Sequence, residues 1–227
     1  MERRIRHGSV LPALAVFVLL VSGALGVAMV SRAAAEGIGE QEIAVRQYLA
    51  ELEEYGRRRG YNNISPVDGQ LLEMLVRLSG AKKALEIGTA NGYSAIWIAL
   101  GLKATGGHLT TVETNPTLAD EARENLRQVG LDGVVTVVTG DAFEVVPGMT
   151  DTFSFIFMDD GKSDPGRCFR ILLDRLEVGG LLVAHNAIRF RNLMAGFLDA
   201  AESHPDLHTV IVGTDRGDGV SLSCRLR

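Results

Sequence analysis

Ala84-Leu-Glu-Ile-Gly-Thr-Ala-Asn-Gly-Tyr-Ser94 is the stretch whose reading decides the fold. It opens as a short apolar run interrupted by one acid, Glu86, and empties into Gly88 and Gly92 just before an apolar segment long enough for a helix. A buried strand, a tight turn and a helix in immediate succession form the repeating unit of a parallel α/β sheet. Glycines tolerate the backbone angles of such a turn and let N–H groups approach a ligand closely at the helix start. The spacing is not the dinucleotide fingerprint, because Thr89, Ala90 and Asn91 follow Gly88, and not a Walker loop, because no Lys-Ser/Thr follows Gly92. An unpaired carboxylate inside an apolar strand is costly, so Glu86 is expected to accept hydrogen bonds or to lie near a cation.

Outward from this unit the pattern predicts helices at Gly69 to Leu78, Ser94 to Leu102, Thr117 to Val129, Cys168 to Leu176 and Asn192 to Glu202. Strands are predicted at Ala84 to Ile87, Leu109 to Glu113, Val134 to Val138, Phe153 to Met158, Leu181 to Ala184, Thr209 to Val212 and Val220 to Cys224. The expected fold is therefore α/β, with a doubly wound, mostly parallel, seven-stranded sheet. Ligands of such sheets bind beyond the carboxyl ends of the strands, so the residues there are the candidates.

Glu113 stands 21 residues beyond Gly92, where a carboxylate can bind both hydroxyls of a ribose; its alternative is service to the helix that follows. Gly140-Asp141-Ala142 suits an adenine edge, and the alternative for Asp141 is a helix cap. Taken together, the glycine turn, the acid and the Asp describe a nucleoside site. The next two strands end in Asp159 and in His185-Asn186, an oxygen- and nitrogen-donor set for Mg²⁺, Mn²⁺ or Zn²⁺. The alternative for His185 is a histidine held by hydrogen bonds at a strand end. Beside a metal and a cationic cofactor the pKa of Lys162 would fall, which makes it a candidate general base; the alternative is a surface lysine.

With 46% hydrophobic and 22% charged residues, and 26 Gly against 6 Pro, the chain is a folded protein without low-complexity tracts. Its formal charge of −5 argues against a nucleic-acid partner, and two cysteines, Cys168 and Cys224, exclude a zinc ribbon or a disulfide scaffold. The organisation expected is a hydrophobic segment at 1–35, an amphipathic helix at 36–63 and a catalytic-type domain at 64–227. The run from Val10 to Val30 would span roughly 31 Å as a helix, enough to cross a bilayer. Arg3, Arg4 and Arg6 before it place the N-terminus inside, so a single-pass N-terminal membrane anchor is expected. A signal peptide cleaved near Ala35, with export, and a cytoplasmic protein started at Met29 are the alternatives.

These residues resemble the class I S-adenosylmethionine-dependent O-methyltransferases of the catechol and caffeoyl-CoA type. The resemblance runs from Ser65-Pro-Val-Asp-Gly69-Gln70-Leu through Leu85-Glu-Ile-Gly88 with Gly92-Tyr93-Ser94, Val112-Glu-Thr-Asn-Pro116, Gly140-Asp-Ala142, Phe157-Met-Asp159 and Lys162 to Gly217-Asp-Gly-Val-Ser-Leu222. It implies a Rossmann-like methyltransferase fold and S-adenosyl-L-methionine as cofactor. It also implies that Glu86 and the Gly88, Gly92, Tyr93 and Ser94 positions hold the methionine part, Glu113 the ribose, and Asp141 with Ala142 the adenine. By the same resemblance Asp159, His185 and Asn186 bind a divalent metal, and Lys162 is the catalytic base. The chain departs from the family in carrying His185 where better-known members have Asp, and Gly161 where the catechol enzymes have a tryptophan.

The activity implied is methyl transfer to a hydroxyl of a small catechol- or phenol-like acceptor. Two other readings stay open: a metal-independent methyltransferase with His185 as base, and a membrane-tethered nucleoside-binding module without catalysis. The partners expected are the small hydroxylated acceptor and the membrane through residues 10–30, with homodimerisation left open.

Overall fold

The computed structural model describes residues 39–160 and 163–227. Helices α1 (Glu40–Arg59) and α2 (Pro66–Ser79) precede β1 (Lys83–Ile87), α3 (Tyr93–Thr105), β2 (His108–Glu113), α4 (Pro116–Gln128) and β3 (Val135–Thr139). Then follow α5 (Ala142–Gly148), β4 (Phe153–Met158), α6 (Pro165–Leu173), β5 (Leu176–Ala184), α7 (Arg191–Ser203), β6 (Leu207–Gly213) and β7 (Gly219–Arg225). The strands form one sheet of order β3-β2-β1-β4-β5-β7-β6, in which β7 alone runs opposite to the other six strands. The order reverses between β1 and β4, so the crevice expected of a doubly wound sheet opens at their carboxyl ends.

Side-chain alternation along the strands builds a core on each face. Ala84, Leu109, Phe155, Phe157 and Val183 pack with Val45, Leu49, Leu72, Val76 and Ile96 of α1, α2 and α3. On the opposite face Leu85, Ile87, Ile156, Met158 and Leu182 pack with Phe169, Leu172, Met194 and Phe197 of α6 and α7. Strands buried on both faces have no solvent side to carry polar residues, which is why they read as apolar runs.

Three elements differ from the sequence expectation. A short helix, α5, follows Asp141, whose Oδ1 accepts the Phe143 N–H at 2.8 Å and starts the turn. Strand β5 begins at Leu176 rather than Leu181, and α6 stops at Leu173. Pairing with β4 jumps from Phe153↔Leu176 to Phe155↔Leu181, so the residues around Gly179, which has φ +80°, bulge out of the ladder.

The expected membrane anchor is corrected here. Among the described residues no helix is long and apolar enough to cross a membrane. Helix α1 is amphipathic: Val45, Leu49 and Leu52 are buried while Glu51, Arg57, Arg58 and Arg59 are exposed. Residues 10–30, on which the anchor and its signal-peptide alternative rested, lie outside the described residues, as do Gly161 and Lys162.

Helix α2 starts with a capping box. Ser65 Oγ accepts the Asp68 N–H at 3.1 Å, and Asp68 Oδ2 accepts the Ser65 N–H at 3.1 Å. The helix lies close on α3, because a Cβ built on Gly69 would stand 2.4 Å from the Trp97 ring. Gly69→Ala is therefore expected to destabilise the fold by about 1–3 kcal/mol through overpacking, read as a lower urea midpoint. Gly133→Ala, where a Cβ meets nothing within 4 Å, should stay within about 0.5 kcal/mol of the parent.

Candidate active site

The turn after β1 is held in a strained shape by groups from three other elements. Gly88 has φ +95°, and a Cβ there would approach Asp160 Cβ to 3.0 Å, so the chain ends of β1 and β4 touch only because the position is bare. Ala90, with φ +46°, lies in the left-handed region that non-glycine residues avoid. Its N–H donates to Glu113 Oε2 at 2.8 Å, while Glu113 Oε1 accepts the Asn115 N–H at 2.9 Å. Charge-assisted bonds of this kind offset the backbone strain. From behind, Tyr48 of α1 donates to Asn125 Oδ1 at 2.8 Å, and Asn125 Nδ2 donates to the Asn91 carbonyl at 2.8 Å.

Glu86, on the α3 side of β1, is completely buried. Burial pushes its carboxyl up to about 7, against the pull of the Ser94 and Thr111 hydroxyls, with Asp159 and Glu113 nearby adding repulsion. Thr111 Oγ1 donates to Oε2 at 2.6 Å, whereas Oε1 is buried without a hydrogen-bond partner.

A second cluster gathers where β4 and β5 end. His185 Nδ1 lies 3.1 Å from Asp159 Oδ1, and Nε2 lies 3.5 Å from Asp68 Oδ2, so the ring stands between two carboxylates. The longer contact is an ion pair rather than a hydrogen bond. Burial alone would depress the ring's pKa, but the two carboxylates overcome it and push it up to about 10. Burial would likewise raise Asp68, yet its interactions with His185, Thr214 and Ser65 pull it down to about 2. Each ring nitrogen therefore faces a carboxylate oxygen.

Asn186 takes φ +65° and is pinned by Asp218: its Nδ2 donates to Asp218 Oδ2 at 3.1 Å. The other oxygen of Asp218 accepts the backbone N–H groups of Ile188, Arg189 and Gly219, at 3.3, 3.1 and 2.7 Å. One carboxylate from the start of β7 therefore shapes the whole loop after β5.

A cleft of about 670 Å³ joins these features. Gly88, Ala90 and Glu113 line one part of it, Asp68, Asp159, His185 and Asn186 another, and Tyr61, Arg189, Phe190 and Leu193 its outer part. Among the described candidates, Glu86, Gly92, Tyr93, Ser94, Asp141 and Ala142 do not line it. Gly92 caps α3 with φ +85°, Tyr93 is buried edge-on to Trp97, and Ser94 is buried beside Glu86. Asp141 and Ala142 form the cap and first residue of α5. Sequence reasoning missed Asp68 and Asp218 as site residues. Their signals were present, an Asp three residues after Ser65 and an Asp between two glycines, but each reads locally as a cap or a turn.

The donor set does not fit a divalent ion. Asp218 is an obligate acceptor, so it fixes the Asn186 amide with its nitrogen toward Asp218 and toward His185 Nδ1, 3.0 Å away. An ion would need the amide oxygen there. Both ring nitrogens of His185 face carboxylates, which leaves Asp159 as the one expected ligand presenting oxygen. Among the described residues no three His, Cys, Asp or Glu side chains are grouped to hold a metal.

The chain is 37% identical over 131 residues to a catechol O-methyltransferase of Niastella koreensis, a match covering 56% of this chain and 59% of that protein. It therefore spans about three fifths of the length of that relative. It superimposes on the O-methyltransferase of Bacillus cereus solved in complex with SAH, with a TM-score of 0.72, 26% identity, and 87% of this chain and 97% of that one covered. The O-methyltransferase TomG of Streptomyces achromogenes, involved in tomaymycin synthesis and solved with SAM, superimposes with a TM-score of 0.70, 26% identity, and 79% and 90% coverage. The profile described as O-methyltransferase matches residues 40–208, most of the chain, and with the sheet order and the cleft it places this protein in the O-methyltransferase family.

Proposed function

We propose that the protein is an S-adenosylmethionine-dependent O-methyltransferase that acts on a hydroxyl of a small catechol- or phenol-like acceptor. The observation that carries this reading is that Gly88, Ala90 and Glu113 line the same cleft as Asp159 and His185, so a nucleoside seat adjoins an acceptor seat. Family membership and relatives that hold SAM or SAH in the same fold support it. So does the chemistry of the turn: a bare Gly88, a carboxylate with lone pairs left on Glu113, and a buried acceptor oxygen on Glu86 suit a ligand rich in donors.

In this reading Glu86, Gly88, Gly92, Tyr93 and Ser94 shape the seat of the methionine part, Glu113 takes the ribose hydroxyls, and Asp141 with Ala142 flanks the adenine. Bound S-adenosylmethionine supplies a sulfonium methyl. The chain's own task is to align an acceptor oxygen, remove its proton and exclude water. Combining an oxyanion with a sulfonium annihilates charge, so a cleft that strips water from both favours the reaction. Phe190 and Leu193 offer an apolar wall for an acceptor ring, and Lys162 is the base that takes the hydroxyl proton.

Titration calorimetry on the full chain is expected to show one S-adenosylmethionine site, and a panel of phenols and catechols is expected to contain a methyl acceptor. No affinity for this cofactor, or tighter binding of a dinucleotide, overturns the reading. Glu113→Ala should weaken cofactor binding at least about tenfold, because it removes the ribose acceptor and frees the strained Ala90 turn together. Lys162→Ala should lower kcat by about 10²–10⁴ with cofactor affinity unchanged, measured by single-turnover kinetics beside calorimetry.

A further inference from the structure

Helix α4 buries Ala119, Ala122, Asn125 and Leu126, so its core-facing side carries one amide among apolar groups. Asn125 is 8% exposed and uses both ends of that amide. Its Nδ2 donates to the Asn91 carbonyl at 2.8 Å, and its Oδ1 accepts the Tyr48 hydroxyl of α1 at 2.8 Å. A carbonyl can only accept, so the Asn91 contact fixes which end of the amide faces the turn; the other end then presents oxygen, and Tyr48 has to donate. Tyr48 reaches the amide because it lies one position before the buried Leu49, on the edge of the face with which α1 meets the core.

The peptide unit between Asn91 and Gly92 is the one this relay holds. Its N–H donates to the Thr89 carbonyl at 2.8 Å, and its C=O is the acceptor of Asn125. On either side stand Ala90 at φ +46° and Gly92 at φ +85°. Gly92 has no Cβ to resist rotation of that peptide, and α4 lies so close that a Cβ there would stand 3.2 Å from Ala122 Cβ. Without the amide, the carbonyl loses its donor inside the protein, which favours a turned peptide. Such a turn displaces Ala90 and Gly88, which line the cleft next to Glu113, whereas Tyr48 and Asn125 do not line it.

We infer that Tyr48 and Asn125 are positioning residues for the cofactor: the hydroxyl orients the amide, the amide fixes the peptide between Asn91 and Gly92, and that peptide sets the shape of the turn that receives S-adenosylmethionine. Cofactor affinity is thus set in part by α1, a helix that precedes the parallel unit. Hydrogen bonds of this kind add little to net stability, because water supplies equivalent bonds to the unfolded chain; their direction is what the site uses. The acceptor part of the cleft is shaped by other contacts, those of Asp218 and of the start of α2. The identity of the ligand rests on the methyltransferase reading; the geometry of the relay does not.

The test is titration calorimetry with S-adenosylmethionine on the full chain, with urea unfolding of each variant alongside. Tyr48→Phe keeps the ring and deletes the donor, and it is expected to raise Kd about three- to tenfold. Asn125→Ala is expected to raise Kd at least as much. In the Asn125→Ala background, Tyr48→Phe is expected to change Kd by less than about twofold, because the hydroxyl has lost the group through which it acts. Arg46→Gln breaks the contact of α1 with Glu73 on α2 and serves as the control for a loosened helix. It is expected to lower the urea midpoint and to leave Kd within about twofold. Wild-type affinity in Tyr48→Phe, an equal loss in Arg46→Gln, or independent effects of the Tyr48 and Asn125 substitutions overturns the inference. Should Asn125→Ala not fold, the comparison of Tyr48→Phe with Arg46→Gln decides. A wild type that binds no S-adenosylmethionine overturns the methyltransferase reading and this inference with it; a wild type that binds, with Tyr48→Phe binding equally well, overturns the inference alone.

Discussion

Carboxylates buried near each other are tolerated only when donors or a shared proton offset their lost hydration, and the carboxyl end of this sheet is organised around that constraint. Taking ions out of water costs several kcal/mol each, and the loss is recovered only when geometry and hydrogen bonding are good. Here the recovery ties together three segments remote in sequence. Asp68 comes from the first turn of α2, Asp159 from the end of β4, and His185 from the end of β5. The cluster thus fixes the inner wall of the cleft at the place where the sheet order reverses, and the fold and the site share the same interactions.

The opposite wall follows a parallel logic with a different currency, namely backbone strain. Ala90 is held in a left-handed conformation by Glu113, and the carbonyl of Asn91 is held by Asn125, itself fixed by Tyr48 of α1. Helix α1 therefore contributes to the site although it lines little of it. That makes sense of a helix that precedes the parallel unit yet packs its Val45, Leu49 and Leu52 into the core with α2 and α3.

Much of this was legible in the sequence because parallel strands buried on two faces must be apolar, so their carboxyl ends can be counted off along the chain. Glu113, Asp159 and His185 were located that way, and each lies at the edge expected of it. What spacing could not supply was juxtaposition. Asp68 sits 117 positions before His185, and nothing local says that a capping residue will face an imidazole. Asp218 was visible only as an acid between glycines, although it collects three backbone donors and an amide. Asp141 was read with two outcomes, and it is the cap of a short helix that the apolar pattern was too brief to reveal. The bulge around Gly179 escaped for a similar reason: a register shift belongs to the pairing of two strands, not to either strand alone.

A side chain at one strand end ties the inner wall of the cleft to the start of a helix. The imidazole of His185 presents one nitrogen to Asp159 and the other to Asp68, so the end of β5 is joined to the end of β4 and to the first turn of α2. Asp218 repeats the device from the start of β7, with one oxygen on the Asn186 amide and the other on three backbone N–H groups. Groups held from two sides are already oriented when a substrate arrives, and a preorganised wall of this kind requires little rearrangement during reaction.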